Sequence, residues 1–196
     1  VGMCEKIFVA GDVRANENIV LLSLHTLFVR WHNRLCDELA AEHPNWNDQQ
    51  LYLHARKLNS GFMQAITYNE FLPAMGVHLP SYEGYNSEIN AQLANVFTAA
   101  AFRLGHTLLN SNLQRMMMDG TPHPDGPVLL RDAFFNPLLA LEEGGIDIFL
   151  KGLGVQPQQE FDASIIDDVR NFLFGPPGSG GMDLAAINIQ RGRERG

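Results

Sequence analysis

Cysteine is scarce: Cys4 and Cys36 are the only two in 196 residues, and they form no CxxC pair. That excludes a disulfide scaffold and a cysteine-built zinc or redox centre. The two thiols either pair once with each other or stay free. Basic residues are also few. Against 22 Asp and Glu stand 14 Lys and Arg, a formal net charge of −8. Phosphate binding needs clustered cations, so a nucleic-acid partner is not expected, and neither is a polybasic membrane-surface module. Long apolar runs are missing. The most apolar stretch, Ile19 to Val29, is broken by Ser23, His25 and Thr26 and falls short of the roughly 20 residues a membrane span needs. Val1 to Ala10 carries Glu5 and Lys6 and has no apolar core of a signal peptide. Strand-like alternation is almost absent, as are internal repeats, a Gly-rich phosphate loop and a GxSxG elbow.

What remains is helical spacing. Hydrophobic residues make up 45% of the chain and charged residues 18%, enough apolar surface for a globular core. Asp12 to Glu42 repeats Leu21, Leu24, Phe28, Trp31, Leu35 and Leu39 at three- and four-residue steps, with Asn16 or Asn18 available as its cap. Pro44 stops it. Asn47 or Asp48 can cap a second helix that runs to about Phe71-Leu72-Pro73. A third is expected from about Glu88 to Leu109. Shorter pieces follow at Leu130 to Leu141, Ile146 to Leu153, Asp162 to Phe172 and Asp183 to Arg193. Between them lie turn-rich segments at 76–86, 119–127 and 175–181. The expected class is mainly α. The Gly/Pro loops are not read as domain linkers, because the flanking pieces are too short to fold alone.

Three clusters depart from this background. In Gly11-Asp12-Val13-Arg14-Ala15-Asn16-Glu17-Asn18, Arg14 and Glu17 are three apart and share a helical face. The plain reading is a capped helix start with an exposed ion pair. In Phe102-Arg103-Leu104-Gly105-His106-Thr107, Arg103 and His106 have the same spacing on an apolar stretch. Gly105 offers a face that a flat group can approach. The plain reading is a core histidine; the functional one is a metal or haem ligand beside a cation. In Asp183 to Arg193, Asn188 and Arg191 are again three apart. A buried Asn must find partners, and the outer nitrogen of a ligating histidine is one. His25 and His32, seven apart, read as packing. The Asp119 to Asp125 loop lacks the periodicity of a calcium loop and reads as a plain turn. Met116-Met117-Met118 reads as core filler.

Taken in order, G-D-V-R-A-N-E, H-T-L-F-V-R-W-H-N-R-L, A-R-K-L-N-S-G-F-M-Q-A-I-T-Y-N-E-F-L-P, F-R-L-G-H-T, E-E-G-G-I-D and D-L-A-A-I-N-I-Q-R-G-R-E-R-G resemble the animal-type haem peroxidases of the peroxidase–cyclooxygenase superfamily. The resemblance runs nearly end to end. It implies a mainly α-helical fold around haem b. It also implies an enzyme that takes hydrogen peroxide and oxidises a halide, a pseudohalide or a phenolic donor, outside the cell. His106 matches the proximal iron ligand, and Asn188 the residue that accepts that histidine's other ring N–H. Arg103 and Arg191 match positions associated with the haem propionates. Arg14 matches the catalytic distal arginine, and Glu17 the glutamate that esterifies a haem methyl in many members. Asn18 stands where some members have a Met that forms a sulfonium link, so that link is not expected. Arg103 stands where the fatty-acid oxygenases have a radical tyrosine, which disfavours a dioxygenase. Tyr68 is read as structural.

The resemblance further implies a longer parent domain. Its distal histidine, a second haem-esterifying Asp and a calcium loop are expected before Val1, and more of the domain after Gly196. The chain is thus expected to be an interior part of one catalytic domain. The alternative is a non-catalytic haem-binding or adhesion module on the same scaffold, which lacks a need for Arg14, Glu17, His106, Asn188 and Arg191 together.

Overall fold

The computed structural model describes residues 8–142 and 144–195; Cys4 and Glu143 lie outside them. Its elements are almost all helical, in line with the expected class. The chain forms two compact units. One takes the chain through Leu24 and again from Ala91 onward; the other is His25 to Asn90.

The first unit opens on a 3-10 turn, Val13–Asn16, capped by the Asp12 side chain. Helix α1 spans Ile19–Glu42. Asn18 caps it, its Oδ1 accepting from the Leu21 N–H at 2.9 Å. Ile19 and Leu22 on its first turn enter the core with Leu113, Leu130, Ala133, Leu139, Ile148, Phe149 and Val169. Burying each of the larger of these contributes about 1.5–3 kcal/mol. A two-residue antiparallel pair, β1 (Asn112–Leu113) with β2 (Val128–Leu129), closes the 114–127 loop beside this core.

In the second unit, α2 (Asp48–Ile66) begins with a capping box. Asn47 Oδ1 accepts from the Gln50 N–H, and the Gln50 side chain accepts from the Asn47 N–H. The helix continues into a π-helical turn, Thr67–Phe71, and the short α3, Leu72–Ala74. Trp31 of α1 meets Phe62 of α2 edge to face at 5.3 Å. Cys36 is a free, half-buried thiol whose pKa burial pushes up.

The expected third helix is not continuous. Only α4, Asn95–Ala99, is α-helical. Ala100 (φ −134°) leaves the helical region, and the chain rewinds as a 3-10 helix, Ala101–Leu108. The apolar spacing could not distinguish these windings, because a three-residue repeat satisfies both. The expected helix from Leu130 to Leu141 divides into α5 (Leu130–Ala133) and a 3-10 turn, Pro137–Leu141; Pro137 supplies no N–H to carry α5 onward.

Helix α6 spans Asp147–Val155. Helix α7 starts at Asp167, not at Asp162. Asp162 instead closes a local turn by accepting the Ser164 N–H at 2.7 Å. Buried Asp168 ties α7 to α5: its Oδ1 accepts from the Arg131 N–H at 3.1 Å and from Arg131 Nε at 3.2 Å. Helix α8, Leu184–Arg195, follows, with Asp183 Oδ1 accepting the Ala186 N–H at 3.0 Å. It packs against α4 and α7. Among the described residues no helix is long and apolar enough to cross a membrane.

Candidate functional site

All six candidate residues fall in the first unit. His106 stands on the 3-10 helix that follows α4, and Asn188 on α8. The packing of α8 on α4 is close: a Cβ added at Gly192 would lie 2.8 Å from the Ala100 Cβ. This approach brings Asn188 to His106 across 82 residues of sequence, with Nδ2 2.9 Å from the imidazole Nδ1. The Asn188 Oδ1 is buried and has no hydrogen-bond partner among the described residues. Leaving such an oxygen unpaired costs about 1–3 kcal/mol. Turning the amide over would let Oδ1 accept from an Nδ1–H and leave the Nε2 lone pair free for a metal.

Burial holds the His106 pKa below its ordinary value, and the nearby Arg103 charge adds to this. Both effects favour the neutral imidazole, the form that ligates metals. On a 3-10 helix, residues three apart eclipse, so Arg103 and His106 share one edge. Arg103 Nε donates to the Thr98 carbonyl at 3.1 Å, which steadies its stem. A Cβ at Gly105 would meet nothing within 4 Å, so the expected open face beside His106 is present. Arg191 lies one turn beyond Asn188 on α8 and is exposed. Together these residues present an imidazole, a side-chain amide against one of its nitrogens and two cations.

The Arg14 turn differs from its expected form. The Arg14 side chain pairs with Asp12 and not with the Glu17 carboxylate: Nη2 lies 2.5 Å from Asp12 Oδ2 and Nε 2.9 Å from Oδ1. Sequence reasoning named Asp12 only as part of the cluster and missed this pairing. The signal was there, an acid at a cap position two residues before an arginine. Asn16, considered as a cap for α1, is buried and instead clamps the Phe8 backbone. It accepts from the Phe8 N–H at 3.0 Å and donates to the Phe8 carbonyl at 2.9 Å.

Glu17 is half-buried. Burial raises its pKa, and the Arg14 charge partly opposes this. A carboxyl raised by folding stabilises the fold fully below its unfolded value, and that contribution is lost as pH climbs through the folded value. Glu17→Gln never charges. Its melting temperature should match the parent's near pH 4 and exceed it at pH 7. Equal melting temperatures at pH 7 would show that Glu17 ionises there without cost.

The Asp119 loop holds its carboxylate locally. Asp119 Oδ1 accepts from the Thr121 N–H at 2.9 Å and hydroxyl at 2.7 Å. No group of three or more His, Cys, Asp or Glu suited to a metal ion occurs among the described residues. An apolar cleft of about 640 Å³ lies in the second unit, lined by Leu39, His43, Trp46, Phe62 and others. It contains none of the six candidate residues.

Comparison with known proteins draws these observations together. The family model "Animal haem peroxidase" matches residues 3–196. Peroxinectin A of Dictyostelium discoideum is 40% identical over 192 residues, covering 98% of this chain and 35% of that protein. The peroxidasin homolog of Mus musculus is 42% identical, covering 96% of this chain and 13% of its own length. Myeloperoxidase of the mouse is 41% identical, with 96% of this chain and 27% of its own length covered. The solved structure of Peroxidase A from Dictyostelium discoideum superposes with a TM-score of 0.89 at 40% identity, over 97% of this chain and 36% of that one. The chain thus spans about a third or less of the relatives it matches, and it belongs to the animal haem peroxidase family.

Proposed function

We propose that this chain forms the haem-holding part of a peroxidase that uses hydrogen peroxide to oxidise a halide, thiocyanate or a phenolic donor. The observation that carries the reading is the Asn188–His106 contact at 2.9 Å, with a buried amide oxygen that has no partner among the described residues. Haem b suits this donor set. It would take a neutral imidazole nitrogen for its iron, a fixed proton on the ring's other nitrogen and cations for its carboxylates. When bound, it supplies the iron and the redox-active ring on which peroxide is reduced and the donor oxidised.

The chain's own groups do the rest. His106 Nε2 offers its lone pair to iron. Asn188 holds the Nδ1 proton, which fixes the tautomer and makes the imidazole a stronger donor. Arg103 and Arg191 balance the propionate charges, which are costly to bury unpaired. Glu17 is the point of ester attachment to a haem methyl. Arg14 keeps a permanent positive charge for the peroxide oxygen that gains electron density as the O–O bond breaks. The calcium site and an extracellular location belong to the same reading of the parent protein.

The test is to load the protein with haem and follow peroxide-dependent oxidation of a phenol, of bromide and of thiocyanate in separate assays. Asn188→Ala should slow the reaction with peroxide ten- to hundredfold, since loss of a ligand's hydrogen-bond partner typically costs about that much. It should also shift the ferric/ferrous potential while leaving the melting temperature nearly unchanged. Haem that binds but never reacts with peroxide would overturn the peroxidase reading. An Asn188→Ala protein with normal rate and potential would overturn the role given to Asn188.

A further inference from the structure

We infer that Asp12 is a positioning residue for Arg14: one carboxylate caps the turn on which the arginine stands and grips one edge of its guanidinium, leaving the opposite edge as the donor face. The inference rests on the proposed role of Arg14 as the cation that meets peroxide.

Asp12 Oδ1 accepts the Arg14 backbone N–H at 2.9 Å and its Nε at 2.9 Å. Oδ2 accepts Nη2 at 2.5 Å and lies 3.2 Å from Nε. This is a two-pronged grip on the Nε–Nη2 edge, the geometry that fixes a planar guanidinium in direction as well as in place. Nη1 has no hydrogen-bond partner among the described residues.

An ordinary surface ion pair joins two long side chains that must both be ordered. Here the carboxylate is already held by the backbone N–H it caps, so gripping the guanidinium orders only the arginine. The turn beneath it is held as well. The Ala15 N–H donates to the Asp12 carbonyl at 3.1 Å, and the Glu17 N–H to the Arg14 carbonyl at 3.0 Å. Ala15 is buried, and so is Asn16, which clamps the Phe8 backbone on the approach side. A largely exposed arginine (72% for its side chain) is thereby given one orientation without being packed. The grip accounts for Arg14 being raised above the ordinary arginine value: the Asp12 hydrogen bonds come first, then the Asp12 charge.

The test uses the haem-loaded protein and Asp12→Asn. That substitution keeps an oxygen for the Arg14 N–H but removes the charge and one acceptor. Two readouts are needed: the equilibrium dissociation constant for cyanide, which binds ferric haem and takes a hydrogen bond from a cation beside it, and the bimolecular rate constant with hydrogen peroxide. Misplacing a positioned group by an ångström can cost about a hundredfold, so both should worsen roughly ten- to hundredfold, with the melting temperature unchanged.

The same measurements on Arg14→Ala and on the double variant make the inference separable from its premise. In an Arg14→Ala background, Asp12→Asn should change neither readout. If Arg14→Ala itself changes neither, the role given to Arg14 fails. If Arg14→Ala is impaired while Asp12→Asn behaves as the parent, the positioning inference fails alone. If Asp12→Asn is equally damaging with Arg14 absent, Asp12 acts by another route and the inference is overturned.

Discussion

If His106 holds haem iron as proposed, replacing it with alanine should remove that nitrogen and lower peroxide-dependent oxidation by roughly a thousandfold or more. The loss must exceed that expected for Asn188→Ala, because the ligand itself is removed and not only its orienting partner. The fold should survive. His106 is only partly buried, sits on a 3-10 segment and is absent from the hydrophobic core. Far-ultraviolet circular dichroism should therefore match the parent's while the Soret band shifts and weakens. Free imidazole added to His106→Ala should restore part of the activity, since the open face beside Gly105 leaves room for entry. If His106→Ala kept the parent's Soret band and rate, some other residue would be the ligand, and the Asn188 contact would be only a core hydrogen bond.

The second large effect is on stability. Gly152 is buried in α6 and faces the chain between β1 and the 115–126 loop. A Cβ there would overlap the Gln114 carbonyl oxygen, with the carbonyl carbon at 2.6 Å and the Arg115 nitrogen at 3.4 Å. These are backbone atoms, pinned from both sides. The Met116 N–H donates to the Ile148 carbonyl at 3.0 Å, and the Gln156 side chain both accepts the Gln114 N–H at 3.1 Å and donates to the Asn112 carbonyl at 2.6 Å. Nothing near Gly152 can yield cheaply, so Gly152→Ala should cost more than about 4 kcal/mol. For a chain of this size that is a fall in melting temperature of roughly 10 °C or more. Gly154→Ala is the control: it lies in the same helix with nothing within 4 Å of an added Cβ, and should be neutral or stabilising. A fall of less than about 3 °C for Gly152→Ala would mean that α6 slides freely over β1.

The two sites differ in how far each could be read from sequence. Helices α1 and α2 were legible because their signals are local: apolar residues at three- and four-residue steps, a cap at Asn16 or Asn18, a cap at Asn47 or Asp48, and the stop at Pro44; the Gln50 half of the capping box was not read. The spacing of Arg103 and His106 was legible too, although the winding beneath them was not. A step of three suits a face of either helix type, and only the break at Ala100 decides. The Asn188–His106 contact was invisible to any local rule, as 82 residues separate the partners. The chemistry of a buried amide suggested a histidine, and the family resemblance alone singled out which one. The Arg131–Asp168 pair, the β1–β2 pair and the Gly192–Ala100 approach are likewise products of tertiary packing. The Asp12–Arg14 grip is the opposite case. It is local, but it was overlooked because helical spacing directs attention from Arg14 forward to Glu17, and the backbone there is a tight turn whose acid lies behind.

The 3-10 winding of Ala101–Leu108 sets a torsional relation that neither residue controls by itself. At three residues per turn, Arg103 and His106 stand in line along the axis, about 6 Å apart in rise. Were the same stretch to relax to α-helical winding, His106 would swing by about 60° relative to Arg103 and draw about 1.5 Å nearer along the axis. The angle between guanidinium and imidazole is therefore an output of backbone pitch. Whatever overwinds or unwinds this single segment rotates the imidazole against its neighbouring charge, with both side chains chemically untouched.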